Sequence, residues 1–389
     1  MREKTIPFFL LYLLTLILGS SFTMIPSSSG FLLSTCGMGI SKLDYGNVFI
    51  LLISGALFTS YFGGIIAKNI GIKNLLIFGL CISCISMGLF SLESLFLQEV
   101  GLSYPVLMLI LFFLGTGYGA MMTSLCTYFS HRKGSFNNLF IALGMGACIS
   151  PLLFKICQAL GFWWVAPLLI ASTLALLCIF VLFLFPNPDK RSPIAAFSIQ
   201  CLSQKRGLLL FAGMTVFYAM CETLFSTWGI IFLKQDREIT DLVASCALFF
   251  FWLFVMLGRF IIGGTERRCI KGIFMALGLL LAIACFAAGL SSSTASTLIT
   301  FSLAGLGCSN LQPMIYQFCQ KHFEGQQMAI RGMLNGMYII GYGLSAAGVA
   351  CVERRAQISF ASLFIGVGIL LIMSVIILTR NRKALKALS

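Results

Sequence analysis

Long apolar runs, each near twenty residues and divided by short charged or Gly/Pro/Ser breaks, decide what this chain can become. An α-helix rises 1.5 Å per residue, so a run of about 20 residues crosses a hydrocarbon core about 30 Å thick. Within that core only internal hydrogen bonds can satisfy the backbone, and a helix makes all of them. Charged residues are 10% of the 389 and the mean hydropathy is +0.99. A soluble domain carries about 25% charge, so this chain could not clothe a water-facing surface. The breaks predict twelve membrane helices, at 6–28, 46–67, 75–92, 105–128, 137–160, 163–185, 207–233, 242–264, 272–290, 297–319, 331–350 and 359–379. The expected class is an all-α membrane protein embedded in a lipid bilayer.

Twelve is even, so both termini lie on one side. With the N-terminus inside, 19 Lys and Arg fall on inner segments and 6 on outer ones, with Arg259 inside a span. Basic residues favour the cytoplasmic side, which predicts cytoplasmic termini in a bacterial-type inner membrane. This asymmetry accounts for the net charge of +14 without nucleic acid as a partner. The N-terminal "MREKTIPFFLLYLLTLILGSS" is basic and then apolar at spanning length, and reads as the first span rather than a cleaved leader. Of the 15 cysteines most lie inside apolar runs as small buried hydrophobes. Cys81 and Cys84 form a CxxC, but with no second Cys or His cluster beside it the expectation is packing, with no metal and no cofactor.

The proline-rich, charged segment 186–206 divides the chain into six-helix halves, 1–185 and 207–389. Each half carries an apolar helix ending in Gly-Gly and a basic turn, "SYFGGIIAKNIGIKN" and "MLGRFIIGGTERRCIKG". Such repeats are a feature of secondary transporters. Enzyme chemistry finds no footing. Every Asp falls in a loop or at a helix end, both histidines are in loops, and no Walker lysine is present. "GTGYG", 115–119, lies mid-span and reads as close helix packing.

The exception is "FYAMCETLFSTW", 217–228. Glu222 lies roughly 24 Å along the helix from Arg206 and roughly 18 Å from Lys234, which places it deep in the membrane. An ionisable group there is costly to keep and points to function. Tyr218 and Ser226 share its face. The tenth span, "FSLAGLGCSNLQPMIYQFCQ", aligns Ser309, Gln312 and Tyr316, sets Asn310 on the adjoining face, and is weakened by Pro313. Thr123 on the fourth span and Ser20 on the first add hydroxyls. The predicted solute contacts are therefore Glu222, Tyr218, Ser226, Asn310, Gln312, Tyr316, Thr123 and Ser20, with Glu222 also carrying a coupling proton. Arg259 is either a snorkelling anchor or a latch on the inner gate.

These pieces resemble the major facilitator superfamily over nearly the full length. "FYAMCETLFSTW", "GRF", "GIKNLLIFGL", "NNLFIALGMGACISP" and "GLGCSNLQP" are similar to its fucose–galactose–gluconate branch. The resemblance implies sugar:proton symport by alternating access. The chain departs from that branch where its carboxylates would stand. Ser21 and Phe22 replace the first-helix Asp, Met121, Met122 and Thr123 the fourth-helix Glu, and Phe140 a fifth-helix Gln. Lys68 and Asn69 replace the superfamily's acidic–basic loop pair. The expectation is a monomeric secondary transporter of a small polar solute, driven by a proton or another ion. Efflux of an amphipathic compound and solute sensing without transport are the alternatives.

Overall fold

The computed structural model describes residues 8–34, 37–96, 103–131, 136–186, 206–263, 270–291, 293–322, 327–356 and 359–380. Most of the expected linker and the tail after 380, with many of the basic residues counted for topology, lie outside the described residues. Among the described residues there are fifteen helices and no strand. They are α1 (Phe8–Ser27), α2 (Ser29–Leu32), α3 (Lys42–Ile70), α4 (Ile72–Phe96), α5 (Ser103–His131), α6 (Phe136–Ala159) and α7 (Val165–Leu184), then α8 (Arg206–Ser226), α9 (Gly229–Gln235), α10 (Asp241–Ile262), α11 (Ile270–Leu290), α12 (Thr294–Cys308), α13 (Leu311–His322), α14 (Gln327–Ala356) and α15 (Phe360–Arg380).

Ten spans are long and apolar enough to cross a membrane, the first running through α1 and α2. The apolar part of α15 and the broken pair α12–α13 bring the total to the expected twelve. Two spans predicted as continuous are interrupted, after Ser226 and at Ser309–Asn310, and the first, predicted to end at 28, runs on past a break after Ser27 into α2. Small polar residues at these places leave the apolar pattern intact, so periodicity alone does not mark them. In the tenth span the break falls upstream of Pro313, because proline removes the N–H that would bond the carbonyl four residues back and crowds that carbonyl. Pro313 itself sits in the first turn of α13, where a missing N–H has no cost.

Helix pairing repeats along the chain. α1 packs on α6 and α3 on α5, while α8 packs on α14 and α10 on α12. α4 contacts α5 and α7, as α11 contacts α12 and α15. The crossings correspond in detail. The backbone of Leu52 on α3 lies against Gly115 of α5, and the backbone of Phe251 on α10 lies against Gly305 of α12. A Cβ on either glycine would overlap that backbone. Gly115 belongs to "GTGYG", and Gly117 and Gly119 meet α4 and α3 in the same close manner. The CxxC is packing too. Cys81 faces Cys178 of α7 at 3.6 Å, and Cys84 donates to the Ala171 carbonyl.

Two seams, α3 with α14 and α6 with α10, join the earlier helices to the later ones. At one end Asp241 of α10 bonds Lys155 of α6 and, at 2.9 Å, Lys234 of α9. Nearby the Tyr45 hydroxyl donates to the Thr227 carbonyl at 3.1 Å, next to the break between α8 and α9. At the other end the Asn137 amide donates to the Arg259 carbonyl at 3.0 Å. A central cavity lies between these two fastenings.

Candidate functional site

The cavity takes walls from α1, α5, α6, α8, α10, α13 and α14. Glu222 enters from α8 and is 2% exposed. Its carboxyl group accepts the hydroxyl of Tyr218 one turn back and, at 2.6 Å, the hydroxyl of Tyr338 on α14. Tyr218 also lies 3.2 Å from the Cys308 carbonyl at the end of α12. The break in the tenth span thus frees a carbonyl beside the carboxyl group.

Arg259 enters from α10 and is 2% exposed, so it is no interfacial anchor. Its Nε donates to the Ser309 carbonyl at 2.8 Å and its Nη1 to the Phe140 carbonyl of α6 at 2.7 Å. Ser309 is the residue four before Pro313. The carbonyl that proline cannot bond is the one the guanidinium takes. The same group lies over the Phe140 ring, 5.4 Å from its centroid. Arg259 therefore ties α6 to the discontinuous span across the seam. Glu222 and Arg259 line one cavity, and among the described residues no ion pair joins them.

The predicted solute contacts separate into groups. Glu222 and Gln312 line the central cavity with Arg259. Tyr218 stands behind Glu222 and holds it. Thr123 and Tyr316 line a second, smaller cavity, and Met122 and Phe140 line both. Ser20 donates to the Gly146 carbonyl and packs α1 on α6. Asn310 donates to the Gly258 carbonyl at 2.7 Å and splints the break. Ser226 is buried but does not line the central cavity, since α8 ends there. Hydroxyls and amides in apolar helices often bond neighbouring backbone in this way.

Sequence reading passed over Tyr118, Trp252 and Tyr338, which complete the central wall, and treated Arg331 only as a topological charge. The signal for the last two was present. Arg331, Asn335, Tyr338, Tyr342 and Ser345 follow at steps of four and three, one polar face of α14. Phe22, Met122 and Phe140, expected from the resemblance to replace polar or acidic groups, all line the central cavity. Its wall is consequently aromatic and apolar around one carboxyl group and one guanidinium.

The sequence matches the family model of the Major Facilitator Superfamily over residues 8–350. An alanine mutant of the nucleoside transporter NupG is similar in structure, with TM-score 0.69, 15% identity, and 95% of this chain and 98% of that chain covered. NupG itself gives a TM-score of 0.63 at 15% identity, with coverages of 96% and 98%. A variant of the E. coli fucose:proton symporter FucP gives a TM-score of 0.64 at 18% identity, with coverages of 98% and 99%. No curated protein matches the chain in sequence. The chain belongs to the Major Facilitator Superfamily. It is a multi-pass membrane transporter and not an enzyme.

Proposed function

We propose that the chain is a secondary active transporter that couples a small polar solute to a proton by alternating access. The observation that carries this reading is Glu222. Among the described residues it is the one buried acid, it faces the central cavity, and tyrosines from two helices hold it. An ionised carboxylate is costly in a dry site, and that cost falls when water reaches it. A group that exchanges its proton as access alternates is what coupling requires. The repeated helix pairing supports two six-helix halves, 1–185 and 207–389, rocking about this cavity. Each chain encloses its own cavity, which favours a monomer as the working unit.

The basic bias, which survives removal of Arg331 from the count, supports cytoplasmic termini in an inner membrane. The Asp241 end then faces outward and the Arg259 end inward. The similarity to nucleoside and fucose transporters favours a polar metabolite such as a sugar or nucleoside as solute. The aromatic wall of Phe22, Tyr118, Trp252 and Tyr338 favours a second reading, efflux of an amphipathic compound.

The test is transport in proteoliposomes. Glu222→Gln keeps size and hydrogen bonding but cannot titrate. It should abolish accumulation driven by a pH gradient and leave solute exchange largely intact. A Glu222→Gln protein that still concentrates solute removes the carboxyl group from coupling.

A further inference from the structure

A second, narrow cavity lies beyond Met122 and Phe140. Its polar wall comes from Tyr316 of α13 and from Arg331 and Asn335 of α14. All three are more than nine-tenths buried. Asn335 Oδ1 has no hydrogen-bond partner, and the Tyr316 hydroxyl makes no hydrogen bond of normal geometry, with the Gln312 side chain beside it. Buried polar atoms are ordinarily satisfied, and leaving one unsatisfied is costly. Two such atoms in one cavity beside a guanidinium describe a site whose ligand supplies the partners. A guanidinium carries five donors in a planar fork, enough to keep a contact of its own and still meet a ligand oxygen.

The donor pattern selects the ligand. A guanidinium and a phenol present N–H and O–H, which suit an oxyanion. Asn335 Oδ1 accepts, and so needs a hydroxyl or N–H beside that oxyanion. We infer that the Arg331–Tyr316–Asn335 cavity is an oxyanion subsite of the transport route, which takes a carboxylate or phosphate group carrying a neighbouring hydroxyl. This rests on the transporter reading above and makes its polar solute a small hydroxylated organic anion in place of a neutral sugar or nucleoside. The anion meets Arg331 on one side of Met122 and Phe140, and Glu222 and Arg259 stand on the other.

The experiment is calorimetric titration of the purified full-length chain with glycerate, inorganic phosphate and glycerol at matched ionic strength. Glycerate or phosphate should bind saturably, and glycerol should not. The stronger of the two anions tells carboxylate from phosphate. Asn335→Asp is nearly isosteric and places a negative charge in the cavity, so it should weaken anion binding at least about tenfold, a change of about 1.4 kcal/mol. Tyr316→Phe removes a single oxygen and should weaken binding in the same direction; it serves if the charged variant does not fold. Ser172→Ala, at an exposed position on α7 away from both cavities, should bind the anion as the wild type does. Failure of both anions to bind, binding of glycerol as tight as theirs, or unchanged binding in both Asn335→Asp and Tyr316→Phe overturns the subsite. Anion binding lost in Glu222→Gln but kept in Asn335→Asp places the anion in the central cavity and also overturns it. Loss of proton coupling in Glu222→Gln with no anion binding in the wild type overturns the subsite and leaves the proposed function standing.

Discussion

Tyr338 of α14 donates its hydroxyl to Glu222 of α8 at 2.6 Å, in the wall of the central cavity. The two residues are 116 apart in sequence, and α8 and α14 pack along one another. Hydrogen bonds to charged groups contribute about 1.5–3 kcal/mol and neutral ones about 0.5–1.5 kcal/mol. Tyr338→Phe and Glu222→Gln should therefore couple by about 1 kcal/mol in a double-mutant cycle read by chemical denaturation in micelles. Effects additive to within about 0.5 kcal/mol would show that the hydroxyl gives the carboxyl group nothing that an amide does not also receive.

Arg259 links the Phe140 carbonyl to the Ser309 carbonyl that Pro313 leaves free. Alanine at 259 leaves both buried carbonyls without this donor, and each such loss costs about 1–3 kcal/mol. The α6–α10 seam should loosen at that end. Cys126, buried in the second cavity, is a native reporter once the other cysteines are replaced. Arg259→Ala should speed its labelling by a thiol reagent. Lysine is a single point donor without the planar fork, so Arg259→Lys should act in the same direction. Unchanged labelling together with unchanged transport would reduce Arg259 to a packing residue.

The number of spans and the inward burial of Glu222 were legible because both rest on coarse energetics. A run of apolar residues has few places to go, and a lone carboxyl group within one is expensive. The helix breaks were illegible for the opposite reason. Ser27, Ser226 and Ser309 are small, and small polar residues suit a helix and its interruption alike. Pro313 gave the tenth break, but displaced by the four-residue reach of its missing hydrogen bond. Arg331 was passed over and Arg259 left open because residues near a span end read equally as snorkelling charges or inward ones. Only the neighbouring carbonyls, set by tertiary packing, decide between the two.

Asp241 fastens the opposite end of the same seam. One oxygen meets Lys155 of α6 and the other meets Lys234 of α9 at 2.9 Å. These side chains are 20–31% exposed, so water weakens but does not abolish the attraction. Asparagine at 241 removes the charge and leaves two ammonium groups facing one another, which turns attraction into repulsion. Asp241→Asn should open that end. Ser29, fully buried on α2 beside this cluster, becomes the reporter as Ser29→Cys in a background without native cysteines. Its labelling should rise in Asp241→Asn. Raising salt from about 0.1 M to 1 M shortens the Debye length from about 10 Å to about 3 Å, and should shift the wild type the same way by a smaller amount. Arg259→Ala should leave Ser29→Cys as protected as in the wild type, because it loosens the far end. If Asp241→Asn and high salt both leave the reporter buried, the packing of Tyr45 against Thr227 holds that end closed without the ion cluster.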